Sequence, residues 1–205
     1  MEPDRLHVVS AETLDAERTQ AAVRELLAAI GEDPARPGLV DTPARVAASL
    51  ADLLSGYGED PVAVLEPLEG ERGDGLIMVR DIRVVSLCEH HLLPFVGTAA
   101  VAYLPGEDGR ITGLSKLARV VEVLSRRLQV QERLVREIAD AIEAALAPRG
   151  VFVLIEAEQM CMTLRGARAS DATTVTTDAR GPFADDPEQR AELAALARGG
   201  SPRPR

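Results

Sequence analysis

The stretch LIMVRDIRVVSLCEHHLLPFVGTAAVAYL, residues 76–104, decides the fold. Three runs inside it, 77–79, 82–87 and 96–104, are apolar and rich in β-branched residues, the pattern of strands. The Pro-Gly-Glu-Asp-Gly segment at 105–109 then predicts a hairpin-type loop. Beyond it the period changes to helical, and two helices are predicted. The second is the clearer, because Leu134, Ile138, Ile142 and Ala145 share one face and Glu132 stands four residues ahead of Arg136. Pro-Arg-Gly at 148–150 ends it. Residues 151–155 are apolar and β-branched, and Thr173, Thr174, Thr176 and Thr177 also suit a strand. Strands, then helices, then strands predict an α+β domain with mostly antiparallel pairing.

Towards the N-terminus, Ala22, Val23, Leu26, Leu27 and Ile30 recur at helical spacing, with Gly31 where a C-terminal cap belongs. After a turn at 32–38, Thr42 is the predicted N-cap of a helix with Pro43 in its first turn. Val46, Leu50, Leu53 and Leu54 form its apolar stripe, and Gly56 stops it. Residues 58–75 are rich in Pro, Gly and Glu, lack periodicity and read as a linker. At the other end, 187–198 reads as a short helix and 199–205 as a frayed tail. The expected organisation is an N-terminal helical arm and linker (1–70), a main catalytic domain (71–198) and a flexible tail (199–205).

The chain has 205 residues and a net charge of −10, and its apolar share of 46% is ordinary for a globular protein. No apolar run approaches the ~18 residues of a transmembrane span, so no membrane association is expected. Residues 1–20 carry acids and no apolar core, which argues against a secretory or transit signal and makes the cytoplasm the expected compartment. An acidic chain lacks the broad basic face that nucleic acids require, and three Phe and two Tyr offer no stacking platform.

The chemistry-bearing residues are few. The three histidines are His7, His90 and His91, Lys116 is the only lysine, and Cys88 and Cys161 are the two cysteines. In a reducing compartment these cysteines suit a metal before a disulfide. Cys88-Glu89-His90-His91 puts a thiol and an imidazole three positions apart, a spacing that lets both reach one ion from a turn at a strand end. With Cys161 as third ligand, the set matches catalytic zinc, which keeps its fourth position open for activating water. Taken alone, the same residues equally suit two buried thiols and a surface histidine pair. Gly113-Leu114-Ser115-Lys116-Leu117-Ala118-Arg119 adds a hydroxyl, the lysine and an arginine at a helix start, an arrangement suited to phosphate oxygens, although a capped helix with solvated cations has the same sequence. In Gln129-Val130-Gln131-Glu132-Arg133, a carboxylate such as Glu132 can accept the adjacent N1–H and N2 donors of guanine; a polar helix start is the plainer reading of any one of these residues.

Together these stretches closely resemble the GTP cyclohydrolase I family over about residues 31–196. The resemblance rests on GEDPARPGLVDTPARV, SLCEHHLLPF, GLSKLAR, RRLQVQERL, Met160-Cys161-Met162 with Arg165-Gly166, and the TVTT run before Gly181-Pro182-Phe183. It implies a tunnelling fold (T-fold) of antiparallel sheet and packed helices, a toroidal homodecamer with sites between subunits, and one Zn2+ per subunit. The implied reaction converts GTP and water to 7,8-dihydroneopterin triphosphate and formate, in tetrahydrofolate and pterin biosynthesis. Carried over position by position, it assigns the zinc ligands to Cys88, His91 and Cys161 and the catalytic acid/base to His90. It likewise assigns guanine binding to Gln131 and Glu132, and the triphosphate clamp to Arg45, Ser115, Lys116, Arg119 and Arg165. Such a clamp concentrates cations locally in an acidic chain.

One position departs from the family. Gln159 stands where the resemblance places a second catalytic histidine, and an amide cannot titrate. Proton delivery during formate release is the step this affects. Two alternatives therefore accompany the full reaction: an enzyme that stops at the ring-opened formylamino-pyrimidine nucleotide for a specialised pathway, and a non-catalytic paralogue that binds zinc and nucleotide.

Overall fold

The computed structural model describes residues 14–69, 71–170 and 172–199; His7 and positions 200–205 of the expected tail lie outside the described residues. The chain forms two compact units, one ending at Glu59 and the other beginning at Asp60.

In the first unit, α1 (Ala16–Ala29) is capped by the Asp15 carboxylate, which accepts from the Arg18 amide at 2.9 Å. It buries no residue, and Leu26 and Ile30 of its apolar stripe are exposed. Gly31 follows with φ +89°, the left-handed conformation its place after the helix calls for. Helix α2 (Thr42–Leu53) starts earlier than a Thr42 cap requires. Asp41 occupies the cap position without a side-chain capping bond, and its carboxylate instead pairs with Arg45. Pro43, in the first turn, fixes the start because its missing N–H is one the helix leaves unpaired anyway. A 3-10 turn, Ser55–Gly58, follows.

The second unit opens inside the segment expected as an aperiodic linker. There α3 (Pro61–Val64) forms a single turn, because the Asp60 carboxylate caps the Val62 amide and Pro61 presets φ. Leu65 beyond it is fully buried, and Pro67 bridges Thr112. Strand β1 (Ile77–Cys88) is continuous where two runs are predicted, since a bulge at Arg80–Asp81, with Asp81 at φ 60°, absorbs the interruption. It pairs antiparallel with β2 (Pro94–Leu104), from Ile77↔Tyr103 to Leu87↔Pro94. The hairpin loop is therefore 89–93. The 105–109 loop closes no hairpin, because the chain after it forms no strand: it bridges Pro67 through Thr112 and then enters α4 (Leu114–Ser125).

A short β3 (Leu128–Gln129) leads into α5 (Gln131–Leu146), followed by β4 (Gly150–Gln159), α6 (Met160–Thr163), β5 (Thr174–Arg180), α7 (Pro182–Asp185) and α8 (Pro187–Arg198). The sheet order is β3-β1-β2-β4-β5, antiparallel except where β3 runs parallel to β1. This is the α+β arrangement that the order of elements predicts. Helices α4 and α5 cover one face: Leu117, Val120, Leu124, Leu134, Ile138 and Ile142 are fully buried in one cluster with Val101, Tyr103, Val153 and Ile155. Each such side chain contributes about 1.5–3 kcal/mol of hydrophobic stabilisation. On the other face, Phe183, Leu193 and Ala197 pack on Ala100, Ala102, Phe152 and Leu154.

Candidate metal and nucleotide site

The site begins where β1 ends. Parallel pairing of Cys88 with Gln129 of β3 and the bond from the Cys88 amide to Leu93 O (2.9 Å) fix that end on two sides. The turn closes through Leu92 N to Cys88 O at 2.8 Å with Leu92 at φ 53°, a conformation costly for a leucine. It leaves Cys88 buried and exposes His90 and His91. Pairing of Phe95 with Gln159 brings the end of β4 alongside the hairpin, and the α6 turn then carries Cys161 towards the same place.

The sulfur atoms of Cys88 and Cys161 and a ring nitrogen of His91 lie within 4.8 Å of one another, and Cys88 Sγ is 3.8 Å from His91 Nδ1. Tetrahedral zinc, with Zn–S near 2.3 Å and Zn–N near 2.1 Å, places its ligand atoms about 3.6–3.8 Å apart, so this donor set fits the ion. Burial, and then the neighbouring Cys88 sulfur, push the Cys161 thiol above its ordinary value. Two thiolates this close need a cation between them. His90 approaches the same centre, its Nδ1 4.0 Å from Cys88 Sγ, with its other nitrogen 3.9 Å from Glu89.

The first turn of α5 lies against this cluster. Gln131 is buried; its amide nitrogen reaches Ile155 O (3.1 Å), Thr174 O (3.0 Å) and Thr176 Oγ1 (3.1 Å), and its oxygen accepts from Gln159 Nε2 at 2.6 Å. Glu132 next to it is exposed, as is Arg165, whose charge acts on Cys161. The structure thus gathers Cys88, His90, His91, Cys161, Arg165, Gln159 and the Gln131–Glu132 pair at one end of the sheet.

Ser115, Lys116 and Arg119 are not gathered there. Thr112, just before α4, is tied to the hydroxyl of Tyr103 at the far end of β2 (3.1 Å), whereas Arg127, just after α4, is tied to Ser86 near Cys88 (3.3 Å). Roughly 18 Å of helix, at 1.5 Å per residue, therefore separates the start of α4 from the cysteine end. Arg119 pairs with Glu122 at 2.7 Å within its own helix. Arg45 belongs to the other unit, where its partner is Asp41. The far end of the sheet also holds a cleft of about 620 Å³ lined by Arg72, Asp74, Glu107 and Arg149. Its arginines already hold backbone carbonyls: Arg72 that of Asp108, and Arg149 those of Pro105 and Asp74.

A family model of GTP cyclohydrolase I matches residues 19–198. The chain belongs to the GTP cyclohydrolase I family. It is 51% identical to GTP cyclohydrolase 1 of Thermobifida fusca over 186 residues, covering 91% of this chain and 90% of that one. To the enzymes of the same name in Mycolicibacterium gilvum and Corynebacterium glutamicum it is 54% and 50% identical, covering 89% and 90% of this chain and 90% and 94% of those. Its sheet and helices are the tunnelling fold of the GTP cyclohydrolase I family. No described helix is long and apolar enough to cross a membrane.

Sequence reasoning gave no individual role to three residues at this end of the sheet, Glu89, Gln129 and Arg133. Glu89 is ion-paired with Arg133, which holds its carboxyl below the usual range. Gln129 is buried, accepts from Arg133 Nε at 3.0 Å, and donates to Glu137 at 2.8 Å. A charge set directly beside Cys88 was the available signal for Glu89; nothing in the sequence pairs it with Arg133.

Proposed function

We propose that the protein is a zinc-dependent GTP cyclohydrolase I, converting GTP and water to 7,8-dihydroneopterin triphosphate and formate. The observation that carries this reading is the convergence of Cys88, His91 and Cys161 beside the Gln131–Glu132 turn, in a chain about half identical to enzymes of that name. Zinc held by the three ligands supplies Lewis acidity for activating water. Glu132 accepts the N1–H and N2 donors of guanine and so aims C8 at the cysteine cluster. His90, exposed beside that cluster, moves protons as water adds at C8, the imidazole ring opens and a second hydrolysis frees formate. The triphosphate is held by Arg165 from this end and by Ser115, Lys116, Arg119 and Arg45. Because the start of α4 lies a helix length from the cysteines, the clamp is completed by a second copy of the chain, in keeping with a homodecamer. Reduced thiols at Cys88 and Cys161 suit the cytoplasm.

A second reading is favoured by Gln159. Its amide cannot carry a proton and is already bonded to Gln131. On this reading the enzyme halts at the ring-opened formylamino-pyrimidine nucleotide. The test is formate released per GTP consumed by zinc-loaded protein, with pterin fluorescence as the second channel. A ratio near one establishes the full hydrolysis, and GTP loss with little formate establishes the truncated one. Absence of GTP loss overturns both in favour of a binding paralogue.

A further inference from the structure

Cys88 lies at the end of β1 and Cys161 just past the end of β4, and β2 runs between those strands. Strand axes two places apart are separated by about 9.5 Å, so the sheet by itself does not bring the two thiols together. The start of β2 touches both cysteine segments through the sheet, and the first turn of α5 touches both through side chains. Gln131 accepts from Gln159, two residues before Cys161. Arg133 grips Glu89, the residue after Cys88, and with the same nitrogen the Leu128 carbonyl at 2.7 Å, while its Nε bonds Gln129. The Glu89 amide closes this arrangement on Gln129 O at 3.0 Å. The two residues that grip the cysteine segments are the immediate neighbours of Glu132 on either side.

We propose that Gln131 and Arg133 are positioning residues, which brace the two cysteine segments from one helical turn and thereby set both the metal geometry and its distance to Glu132. Glu89 and Gln159 are the segment-side halves of the two struts. Each strut acts on a ligand through its neighbour rather than by binding the metal itself. In this chain Gln159 serves to hold the Cys161 segment, a task that an amide performs without titrating. The inference rests on the reading of Cys88, His91 and Cys161 as zinc ligands.

The test is zinc affinity of the full-length, zinc-loaded protein, measured by competition with a chromophoric chelator and so independent of turnover. Loss of partners that orient metal ligands typically weakens binding 10–100-fold. Arg133→Met and Glu89→Gln should each weaken zinc by about tenfold or more, and the double variant should be no weaker than the worse single, since both cut one strut. Arg133→Lys should recover part of the loss. Gln159→Leu should weaken zinc too, and combined with Arg133→Met the two losses should add. Affinity within twofold of the parent in Arg133→Met and Glu89→Gln, with native circular dichroism, overturns the brace. So does a loss that Arg133→Lys fails to recover and that adds in the Glu89→Gln/Arg133→Met double. If Arg133→Met fails to fold, Glu89→Gln and Arg133→Lys carry the same test. A parent that binds no zinc overturns the metal reading, and the brace with it; a parent that binds zinc alongside unaffected variants overturns the brace alone.

Discussion

The two ends of α4 differ in how far a single chain completes its site. Near its C-terminal end, side chains from the β1–β2 hairpin, β4, α6 and α5 close on one another, with Arg133 bonded to Glu89, Gln131 to Gln159, and Cys88 against His91. At its start, Ser115 and Lys116 are bonded by no side chain among the described residues, and the helix has a glycine cap with no capping side chain. The first end is knit together by side-chain bonds between elements, and at the second, Lys116 has no such bond among the described residues. The difference teaches that the two groups of residues proposed to bind the nucleotide are encoded in one chain but lie about a helix length apart. A second copy supplies the missing half in the proposed assembly.

The sharpest way to break this comparison is to damage each end separately. Cys161→Ser removes a ligand and should cost GTP turnover more than the ~100-fold that loss of an outer-shell partner costs, with zinc content falling in parallel. Lys116→Ala should keep its zinc and lose about 10–100-fold in kcat/KM, as expected for one charge-assisted phosphate contact. Mixed and reassembled, the two inactive variants should regain activity, because some interfaces then join an intact cysteine end to an intact lysine end. A mixture no more active than its components places the whole site within one chain and ends the comparison.

Stability variants sharpen it next. Ile138→Ala, on the buried face of α5, should cost about 2–5 kcal/mol in denaturant unfolding, and should loosen the cysteine end first because the same helix carries Gln131 and Arg133. Gly97→Ala acts on the sheet directly: a Cβ there would stand 2.0 Å from Glu156 O and 2.5 Å from the Ala157 Cα. Prising β2 from β4 two residues from the Phe95–Gln159 pair should cost about 1–3 kcal/mol and weaken zinc binding at the same time. An equal loss of stability with unchanged zinc affinity would separate the sheet from the site.

Much of this was legible in the sequence, for reasons that differ by element. Helix α5 and the 187–198 helix were readable because their apolar stripes or proline starts are local signals. The convergence of Cys88, His91 and Cys161 was readable because Cys88 and His91 are close in sequence and Cys161 is the only other cysteine. The bulge was not, because Asp81 interrupts the alternation as a strand end would. The 105–109 loop has the composition of a hairpin turn, and only the absence of a returning strand shows otherwise. The pairing of Arg133 with Glu89 spans 44 positions, and no local pattern encodes it. The separation of the clamp from the cysteines follows from the direction of α4, which sequence spacing does not carry.

The smallest effect belongs to the face that takes no part in the site, and for that reason it is a useful control. Helix α8 is capped by Asp186, whose carboxylate accepts from the Glu188 and Gln189 amides at 2.9 and 3.2 Å. Those bonds, Gln189 foremost, hold its pKa below the ordinary value. A carboxyl lowered on folding contributes stability that is present above its unfolded pKa and lost as pH falls through its folded one. The melting temperatures of the parent and Asp186→Ala should therefore differ slightly at pH 7 and converge as the pH falls below the ordinary aspartate value. Zinc affinity at pH 7 should be equal in the two, since α8 packs through Phe183, Leu193 and Ala197 on the face opposite α4 and α5. A difference in melting temperature that stays constant with pH would show that the cap acts through something other than its charge, and a shift in zinc affinity would show that the two faces of the sheet are coupled.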